Sequence, residues 1–268
     1  MLALPALIFR AVTTGDLGDL NLPYLVAYLA GSLATLGVGY GLGRRSGLDG
    51  AAASFQAMGM SCANSGFIGY PALLLAMPAL ADRALAMNVI VENLLVLPLI
   101  LLLAEAGRGG SRAQVLTRVA ASPILIGLVA GLAVALSGVV LPEAIDRAVD
   151  LVARSSTAVS LLVIGGTLVG IPRVTRAARI APIVAGKLLL HPLAVAAAFA
   201  LLAGAGDAVD PDLARAGILM AAMPAMGVYT VLAAQYGEGP TAAVAMLVMT
   251  VLSFLTLSAL LWALGFAT

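Results

Sequence analysis

Charged side chains are scarce in this sequence: they make up 10% of its 268 residues, whereas 62% are hydrophobic. Soluble domains carry roughly 25% charged residues, so this chain lacks the polar surface that water requires. Cysteine and histidine occur once each, which excludes an intrachain disulfide and most metal sites built from those ligands. A net charge of +1 argues against a nucleic-acid partner. These absences indicate an all-α integral membrane protein whose surrounding solvent is the lipid bilayer, and we expect no metal and no cofactor.

Long apolar runs fill most of the sequence. A helix needs about 20 apolar residues to cross a hydrocarbon core of about 30 Å. Runs bounded by charged, glycine or proline residues predict nine spans, at about 1–14, 22–42, 51–80, 83–104, 122–140, 148–170, 179–204, 212–235 and 240–266. The connections are too short to hold a soluble domain. The longest, 105–121, is polar and is predicted to be a cytoplasmic connector.

The first run is too short to cross the bilayer comfortably, because 14 helical residues rise only about 21 Å. It has no basic region before it and no small-residue cleavage site, so it does not fit a signal peptide. We expect a helix whose beginning, together with a whole preceding helix, is absent from this sequence.

Arginines divide the loops and helix ends into two alternating sets. One set carries eight arginines: Arg44, Arg45, Arg108, Arg112, Arg118, Arg173, Arg176 and Arg179. The other set carries five arginines and several acids: Arg10, Arg83, Arg147, Arg154, Arg215, Asp16, Asp19, Asp82, Asp207, Asp210 and Asp212. The positive-inside rule places the first set in the cytoplasm, which predicts that the C-terminus is outside. The alanine-rich composition and compact loops suit a bacterial inner membrane.

Two of the apolar runs are interrupted. The third run is broken between Asn64 and Pro71, and the eighth between Met223 and Tyr229. From the loop charges, the first of these runs starts in the cytoplasm and the second starts outside. Interrupted helices at matching positions of two oppositely oriented halves indicate the binding site of a transporter. The alternative is that each break is a kink that serves packing, because glycine and proline are common in membrane helices.

The breaks divide the chain into two predicted inverted repeats. Residues 1–104 contain four spans and residues 122–268 contain five, so the first repeat lacks one N-terminal helix. Half-helix N-termini in the breaks carry partial positive charge and free N–H groups, which suits an anion. The predicted substrate-binding residues are Asn64, Ser65, Pro71, Met223, Pro224, Val228 and Tyr229.

Three of the ionisable residues within predicted spans are candidates for a functional role. Glu92 is near the middle of its span, and removal from water favours the neutral form of a carboxyl, so it is a candidate for proton coupling. The alternative is a neutral glutamic acid hydrogen-bonded to a neighbouring helix. Lys187 and His191 are four residues apart on one helix face, where they would add positive charge to an aqueous cavity. Alternatively, Lys187 snorkels to the cytoplasmic interface and His191 is a neutral packing residue.

The first break resembles the Asn-Thr-Gly-x-x-Gly-x-Pro stretch of the auxin efflux carrier family, with Ser65 where threonine is commoner. The stretch from Pro224 to Gly237 is similar to that family's second crossover region, and residues 4–9 resemble its second helix. By this resemblance Asn64 matches the family's crossover asparagine, and Pro71 and Pro224 match its prolines.

The resemblance implies an inverted-repeat transporter fold with two crossing broken helices, as in NhaA and bile-acid symporters. Family members have ten helices in two five-helix repeats, and this chain aligns from the second helix onward. The implied activity is secondary, ATP-independent transport of a small organic anion, and described members carry auxin or malonate. Alternating access between a scaffold and a mobile domain, and a homodimer, are further implications.

Other functions fit the sequence less well. The one histidine provides no protease pair, the Gly-x-Gly-Asp stretch ending at Asp207 has no second intramembrane aspartate, and no Walker A motif is present. We therefore predict no enzyme activity. A channel or solute sensor is an alternative, since broken helices also line pores. So is a bile-acid-type sodium symporter, although no acidic residue lies near Asn64 or Pro224 in the sequence, which disfavours sodium coupling.

Overall fold

The computed structural model describes residues 3–13, 20–109, 113–114, 117, 120–121, 123–153, 155, 177–206 and 209–265. Within these ranges the regular elements are all helices, as predicted for an all-α membrane protein. In chain order they are α1 Ala3–Thr13, α2 Leu22–Arg45, α3 Gly50–Ser61, α4 Ser65–Ala76, α5 Pro78–Gly107, α6 Pro123–Ser137, α7 at 143–153, α8 Ala177–Gly204, α9 Pro211–Ala221, α10 Tyr229–Gln235 and α11 Gly239–Ala263.

Four of the described helices, α2, α5, α8 and α11, are long and apolar enough to cross a membrane. The predicted spans 51–80 and 212–235 are each a pair of short helices, α3 with α4 and α9 with α10. The span 148–170 lies mostly outside the described residues, as do Asp16, Asp19, Arg112, Arg118, Arg154, Arg173, Arg176 and Asp207. The count of nine spans and the two inverted repeats therefore stay predictions.

The third apolar run ends earlier than predicted. Met77 separates α4 from α5, and Pro78 is the first residue of α5. The N–H groups of the first helical residues have no partner within the helix, so proline, which lacks an N–H, fits at this position. Arg83 lies inside α5, which continues to Gly107. The predicted boundaries at 80 and 83 are therefore wrong by a few residues, and the run 83–104 is longer at both ends.

Short polar side chains set where several helices begin. Asn21, Asp49 and Asp210 each accept a hydrogen bond from the backbone N–H three residues further on, at 2.8, 2.8 and 3.0 Å. Each bond satisfies an N–H that has no partner within its helix, and such a cap is worth about 1 kcal/mol. The starts of α2, α3 and α9 are thus fixed by single side chains.

Glycines let the helices around α2 and α3 approach closely. A Cβ atom built on Gly31 of α2 would lie 2.6 Å from the Cα atom of Val195 on α8. A Cβ atom on Gly50 of α3 would lie 2.6 Å from the Cα atom of Gly107, at the end of α5. Small residues at such crossings bring backbones together, so polar side chains on the facing surfaces come within hydrogen-bonding distance.

The first helix packs mainly against α6. A Cβ atom on Gly127 of α6 would lie 2.5 Å from the backbone oxygen of Pro5 on α1. Arg10 of α1 forms ion pairs with Asp146 and Asp150 of α7, the second with 3.7 Å between Nε and Oδ1. Helices α1, α6 and α7 therefore form a group held by close packing and by these ion pairs.

A second polar group, the Tyr236 cluster, fastens the turn between α10 and α11. The hydroxyl of Tyr236 donates to Oε1 of Glu105 at 2.6 Å, and its ring lies 4.7 Å from that of Phe55, centroid to centroid. The guanidinium of Arg108 lies 3.9 Å from the Tyr236 ring centroid and donates to the carbonyl of Gln235 at 2.9 Å. The cluster ties α3 to the C-terminal ends of α5 and α10.

Candidate functional site at the crossing of the two breaks

The two interrupted stretches of the chain meet at buried residues and cross each other there. Ala63 and Ala225 form an isolated antiparallel bridge. The N–H of Asn64 donates to the carbonyl of Pro224 at 2.8 Å, and the N–H of Met226 donates to the carbonyl of Cys62 at 3.3 Å. A helix that breaks leaves N–H and C=O groups without partners, which apolar surroundings do not tolerate. Here the two breaks satisfy part of each other's backbone.

Asn64 starts the helix that follows the first break. Its Oδ1 atom accepts from the N–H of Phe67 at 3.2 Å, and its carbonyl accepts from the N–H of Gly69 at 2.9 Å. Asn64 and Ser65 are both buried. Pro71, also predicted as a site residue, lies within α4 and is exposed, so it is not among the residues that meet at the crossing.

The predicted residues of the second break are all buried. Met223 approaches the first break, because a Cβ atom on Gly69 would lie 3.3 Å from its Cγ atom. Tyr229 begins α10, and a Cβ atom on Gly59 of α3 would lie 2.7 Å from its hydroxyl oxygen. Val228 precedes it as the cap of α10. These side chains pack the second break against α3 and α4.

The carboxylate of Glu92 on α5 lies at the first break. Its Oε1 atom accepts from the hydroxyl of Tyr28 at 3.0 Å and from the N–H of Ala63 at 2.9 Å. Its Oε2 atom accepts from the hydroxyl of Ser65 at 3.1 Å. No acidic residue lies near Asn64 along the sequence, but α5 brings Glu92 to the first break from a distant part of the chain.

Lys187 on α8 lies beside the second break. Its Nζ atom donates to the carbonyl of Ala221, the last residue of α9, at 3.0 Å and approaches Nδ1 of His191 at 2.6 Å. The side chain is fully buried, so the alternative in which Lys187 snorkels to the interface is wrong. A positive charge at the C-terminal end of a helix is favourable, so protonated Lys187 would stabilise α9.

His191 links Lys187 to α2. Nδ1 of His191 lies 2.6 Å from Nζ of Lys187 and 3.1 Å from the carbonyl oxygen of Ala221, so it either accepts from the lysine or donates to the carbonyl. Nε2 lies 3.0 Å from the hydroxyl oxygen of Ser32. The neutral state of His191 stays a prediction.

Glu92 and Lys187 bind backbone groups of opposite polarity at the two breaks. Glu92 accepts an N–H that the first break frees, and Lys187 donates to a carbonyl at the second break. The two also interact electrostatically, without a direct hydrogen bond between them. Among the described residues no cluster of three or more histidine, cysteine, aspartate or glutamate side chains suits a metal ion.

Three polar residues of the site lie in wide, π-type turns. Proline lacks an N–H and its ring clashes with the carbonyl four residues earlier, and a widened turn relieves that clash. Such turns are frequent at functional sites. The turns that carry Ser65, Glu92 and Lys187 are Ser65–Gly69, Ile90–Val96 and Gly186–Leu190, each two residues before a proline, namely Pro71, Pro98 and Pro192.

Sequence reasoning missed the contribution of α2. Tyr24, Tyr28 and Ser32 are spaced four residues apart, which places them on one helix face. Tyr24 donates to Asn88 at 2.8 Å, one turn away from the bond between Tyr28 and Glu92. A polar stripe on an otherwise apolar helix was the pattern that could have indicated a buried network.

Two comparisons with known proteins concern the chain as a whole. The model of a family described as "Membrane transport protein" matches residues 1–262. A curated protein of Rhizobium meliloti (strain 1021), named "Putative malonate transporter", is 28% identical over 276 residues, an alignment that covers 97% of this chain and 83% of that protein.

Proposed function

This chain belongs to the membrane transport protein family, and we propose that it is a secondary transporter that moves a small organic anion, such as a carboxylate, by alternating access. The resemblance to the auxin efflux carriers drawn from the sequence is confirmed by the family match. The family and the similar malonate transporter also confirm a membrane transporter rather than an enzyme. The substrate class and the mechanism are our proposals.

One observation carries the proposal: the broken helices meet beside two buried ionisable side chains, those of Glu92 and Lys187. An ionisable side chain within a membrane is costly and is retained where it serves a pathway. Broken helices at mid-membrane depth open backbone groups to a solute. The breaks Asn64–Pro71 and Met223–Tyr229 are the proposed substrate site.

Alternating access requires that the crossing holds together and also releases. The two breaks are joined by few backbone bonds, chiefly those from Asn64 to Pro224 and from Met226 to Cys62. Gly66 and Phe67, next to the buried Ser65, are exposed. We propose that the solute enters beside Gly66 and that relative movement of the broken helices exposes it to the other side.

Uptake by purified protein in liposomes tests the proposal, with radiolabelled malonate as the first probe. A carrier shows saturable uptake that is stimulated by unlabelled malonate trapped on the opposite side. A channel shows no such counterflow, and a solute sensor binds malonate without moving it. Uptake that neither saturates nor responds to trapped malonate, across a panel of small carboxylates, would contradict the carrier proposal.

A sodium-coupled symporter is a second candidate, favoured by the position of Glu92 at the crossing. The hydrogen bonds argue against it, because the oxygens of Glu92 already accept from Tyr28, Ala63 and Ser65. We propose proton coupling through Glu92 instead. Replacing sodium by choline in the uptake assay distinguishes the two kinds of coupling. A sodium symporter loses uptake, and a proton-coupled carrier keeps it.

Membrane placement is proposed from the loop charges. We propose an inner-membrane protein with its C-terminus outside, and accessibility of a C-terminal tag in intact spheroplasts tests this. The exposed side chains of α11, including Val251, Phe254, Leu255 and Trp262, suit contact with lipid. A homodimer, also proposed, is tested by the mass of the protein in detergent.

A further inference from the structure

The carboxylate of Glu92 occupies a pocket of three donors. Two are hydroxyls, those of Tyr28 and Ser65, and the third is the N–H of Ala63 in the first break. Tyr28 and Ser65 are buried. Three donors converging on two oxygens is the arrangement that recognises an ionised carboxyl group.

We propose that the carboxylate of Glu92 occupies the position that a carboxylate of the substrate takes when it binds. Tyr28, Ser65 and the Ala63 N–H form a carboxylate-binding subsite, which Glu92 fills while it is ionised and yields to a carboxylate of the substrate once it is protonated. The inference rests on the proposed function and deepens it, because it names the group that is recognised and the event that opens the subsite.

The geometry keeps the donors in place when Glu92 leaves. The N–H of Ala63 is fixed by the backbone, because the bridge to Ala225 holds this residue at the crossing. Tyr28 is held by the parallel ring of Tyr24, with centroids 6.1 Å apart and planes inclined by 2°. Buried donors without an acceptor are unfavourable, so the vacated subsite favours an incoming carboxylate.

The position of Ser65 determines where an anion can enter the subsite and how it competes with Glu92 for the donors. Its neighbour Gly66 is exposed, and a Cβ atom built there meets nothing within 4 Å. An anion arriving beside Gly66 would meet the hydroxyl of Ser65 first. Ionised Glu92 repels that anion and holds its donors, whereas a protonated carboxyl is a poorer acceptor and can release them.

Charge in the buried site is conserved by this exchange. The titratable and charged groups that interact with Glu92 are Tyr24, Tyr28, Cys62 and Lys187. Lys187 balances ionised Glu92. When a proton from solvent neutralises Glu92, the charge of Lys187 is balanced by one carboxylate of the substrate. One proton and one carboxylate therefore enter together, and neither binds well alone.

Malonate binding to the purified full-length chain as a function of pH tests the inference. Wild type is expected to bind more tightly as the pH falls from 8.5 to 6, approaching tenfold per pH unit, the limit for one linked proton. Glu92→Gln carries no such proton, so at pH 8.5 it should bind malonate at least as tightly as wild type does at pH 6. Malonate itself titrates in this range, but its ionisation is the same for both proteins. The difference in the pH dependence of their malonate affinities therefore comes from Glu92.

The two stacked tyrosines supply a matched pair that does not depend on changing Glu92. Tyr28→Phe removes a donor of the subsite and should weaken malonate binding by about tenfold, the cost of one lost hydrogen bond to a charged group. Tyr24→Phe removes the hydroxyl one turn away, which donates to Asn88, and should leave binding unchanged. If Glu92→Gln does not fold, this pair still tests whether the Tyr28 hydroxyl belongs to the carboxylate-binding subsite.

The outcomes separate the inference from the proposed function. Saturable malonate transport with the same pH dependence in wild type and Glu92→Gln contradicts the exchange of Glu92 for a substrate carboxylate. The proposed carrier function would still hold. Equal effects of Tyr28→Phe and Tyr24→Phe overturn the subsite. If wild type transports no carboxylate at all, the proposed function fails first, and the inference fails with it.

Discussion

The N–H of Asn64 donates a 2.8 Å hydrogen bond to the carbonyl of Pro224, and this bond joins the two breaks of the chain. Since the bond uses only the backbone of Asn64, its side chain is left for a different task. Oδ1 caps α4 through the N–H of Phe67. The same residue thus connects the breaks and orients the start of the helix beside the proposed substrate site.

Asn64→Ala is expected to abolish detectable malonate binding while the protein still folds. The backbone bond to Pro224 survives the change, and the lost cap costs about 1 kcal/mol of the free energy of unfolding. The measurement is malonate binding together with thermal unfolding of the same detergent-purified sample. Wild-type affinity in the variant would remove Asn64 from the site.

Asn21→Ala is the matched control. Asn21 caps α2 in the same way, through the N–H of Tyr24 at 2.8 Å, but at the helix terminus away from the crossing. Its loss should cost a similar free energy of unfolding and leave malonate affinity unchanged. Equal loss of binding in the two variants would mean that capping, and not the position of Asn64, was being measured.

Coupling between the two buried charges should appear in a double-mutant cycle. Lys187→Met leaves the carbonyl of Ala221 without its Nζ donor, a loss of about 1–3 kcal/mol. Glu92→Gln leaves Lys187 as an uncompensated charge, and that cost disappears when both are changed. The free energies of unfolding should therefore be non-additive by about 0.5–3 kcal/mol. Additive costs would show that the two side chains stabilise the breaks independently.

Cys62 offers a direct probe of the crossing. It is the only cysteine in the sequence, it is fully buried, and its carbonyl accepts from Met226. A maleimide can react only when the crossing opens. Malonate that binds the closed crossing should slow the reaction roughly tenfold at ten times its dissociation constant. Labelling that is fast and indifferent to malonate would contradict a closed crossing, and Cys62→Ala serves as the background control.

Local patterns in the sequence predicted the breaks well, because glycine and proline act on their own neighbourhood. Asn64 and Pro224 were identified as members of two interrupted stretches, and the structure brings those stretches together. Pro71 shares the motif of Asn64 but is exposed, since a motif gives the position of a residue in the chain and not the face it occupies.

Partners across helices could not be predicted from the sequence in the same way. Glu92 was recognised as an intramembrane carboxyl, but its donors come from α2 and from the first break, and no sequence spacing connects them. Lys187 was equally compatible with a snorkelling role. The close approach of α2 and α8 at Gly31 decides which face of α8 is buried, and it is a property of tertiary packing.

Two glycines of α2 separate packing from helix propensity. A Cβ atom on Gly31 would lie 2.6 Å from the backbone of Val195, whereas one on Gly41 meets nothing within 4 Å. Gly31→Ala should force α2 and α8 apart and destabilise the protein by about 1–3 kcal/mol. Gly41→Ala should be neutral or stabilise it by up to about 1 kcal/mol, because alanine favours the helix. The free energy of unfolding checks both, and equal effects would contradict the close crossing.

Tyr236→Phe tests the cluster at the turn between α10 and α11. Phenylalanine keeps the ring that contacts Phe55 and Arg108 and removes only the hydroxyl that donates to Glu105. The loss should be about 1 kcal/mol of the free energy of unfolding, the value of one hydrogen bond.

The pH dependence of this loss has a definite sign. Burial, and then the hydrogen bond to Glu105, raise the pKa of Tyr236 above its ordinary value. A pKa raised by folding gives stability that is complete below the ordinary tyrosine pKa of about 10 and is lost only as the pH rises through the raised value. The difference between wild type and Tyr236→Phe should therefore be the same at pH 7 and pH 9. A difference that vanishes at pH 9 would mean that the hydroxyl is not held by Glu105 in the folded protein.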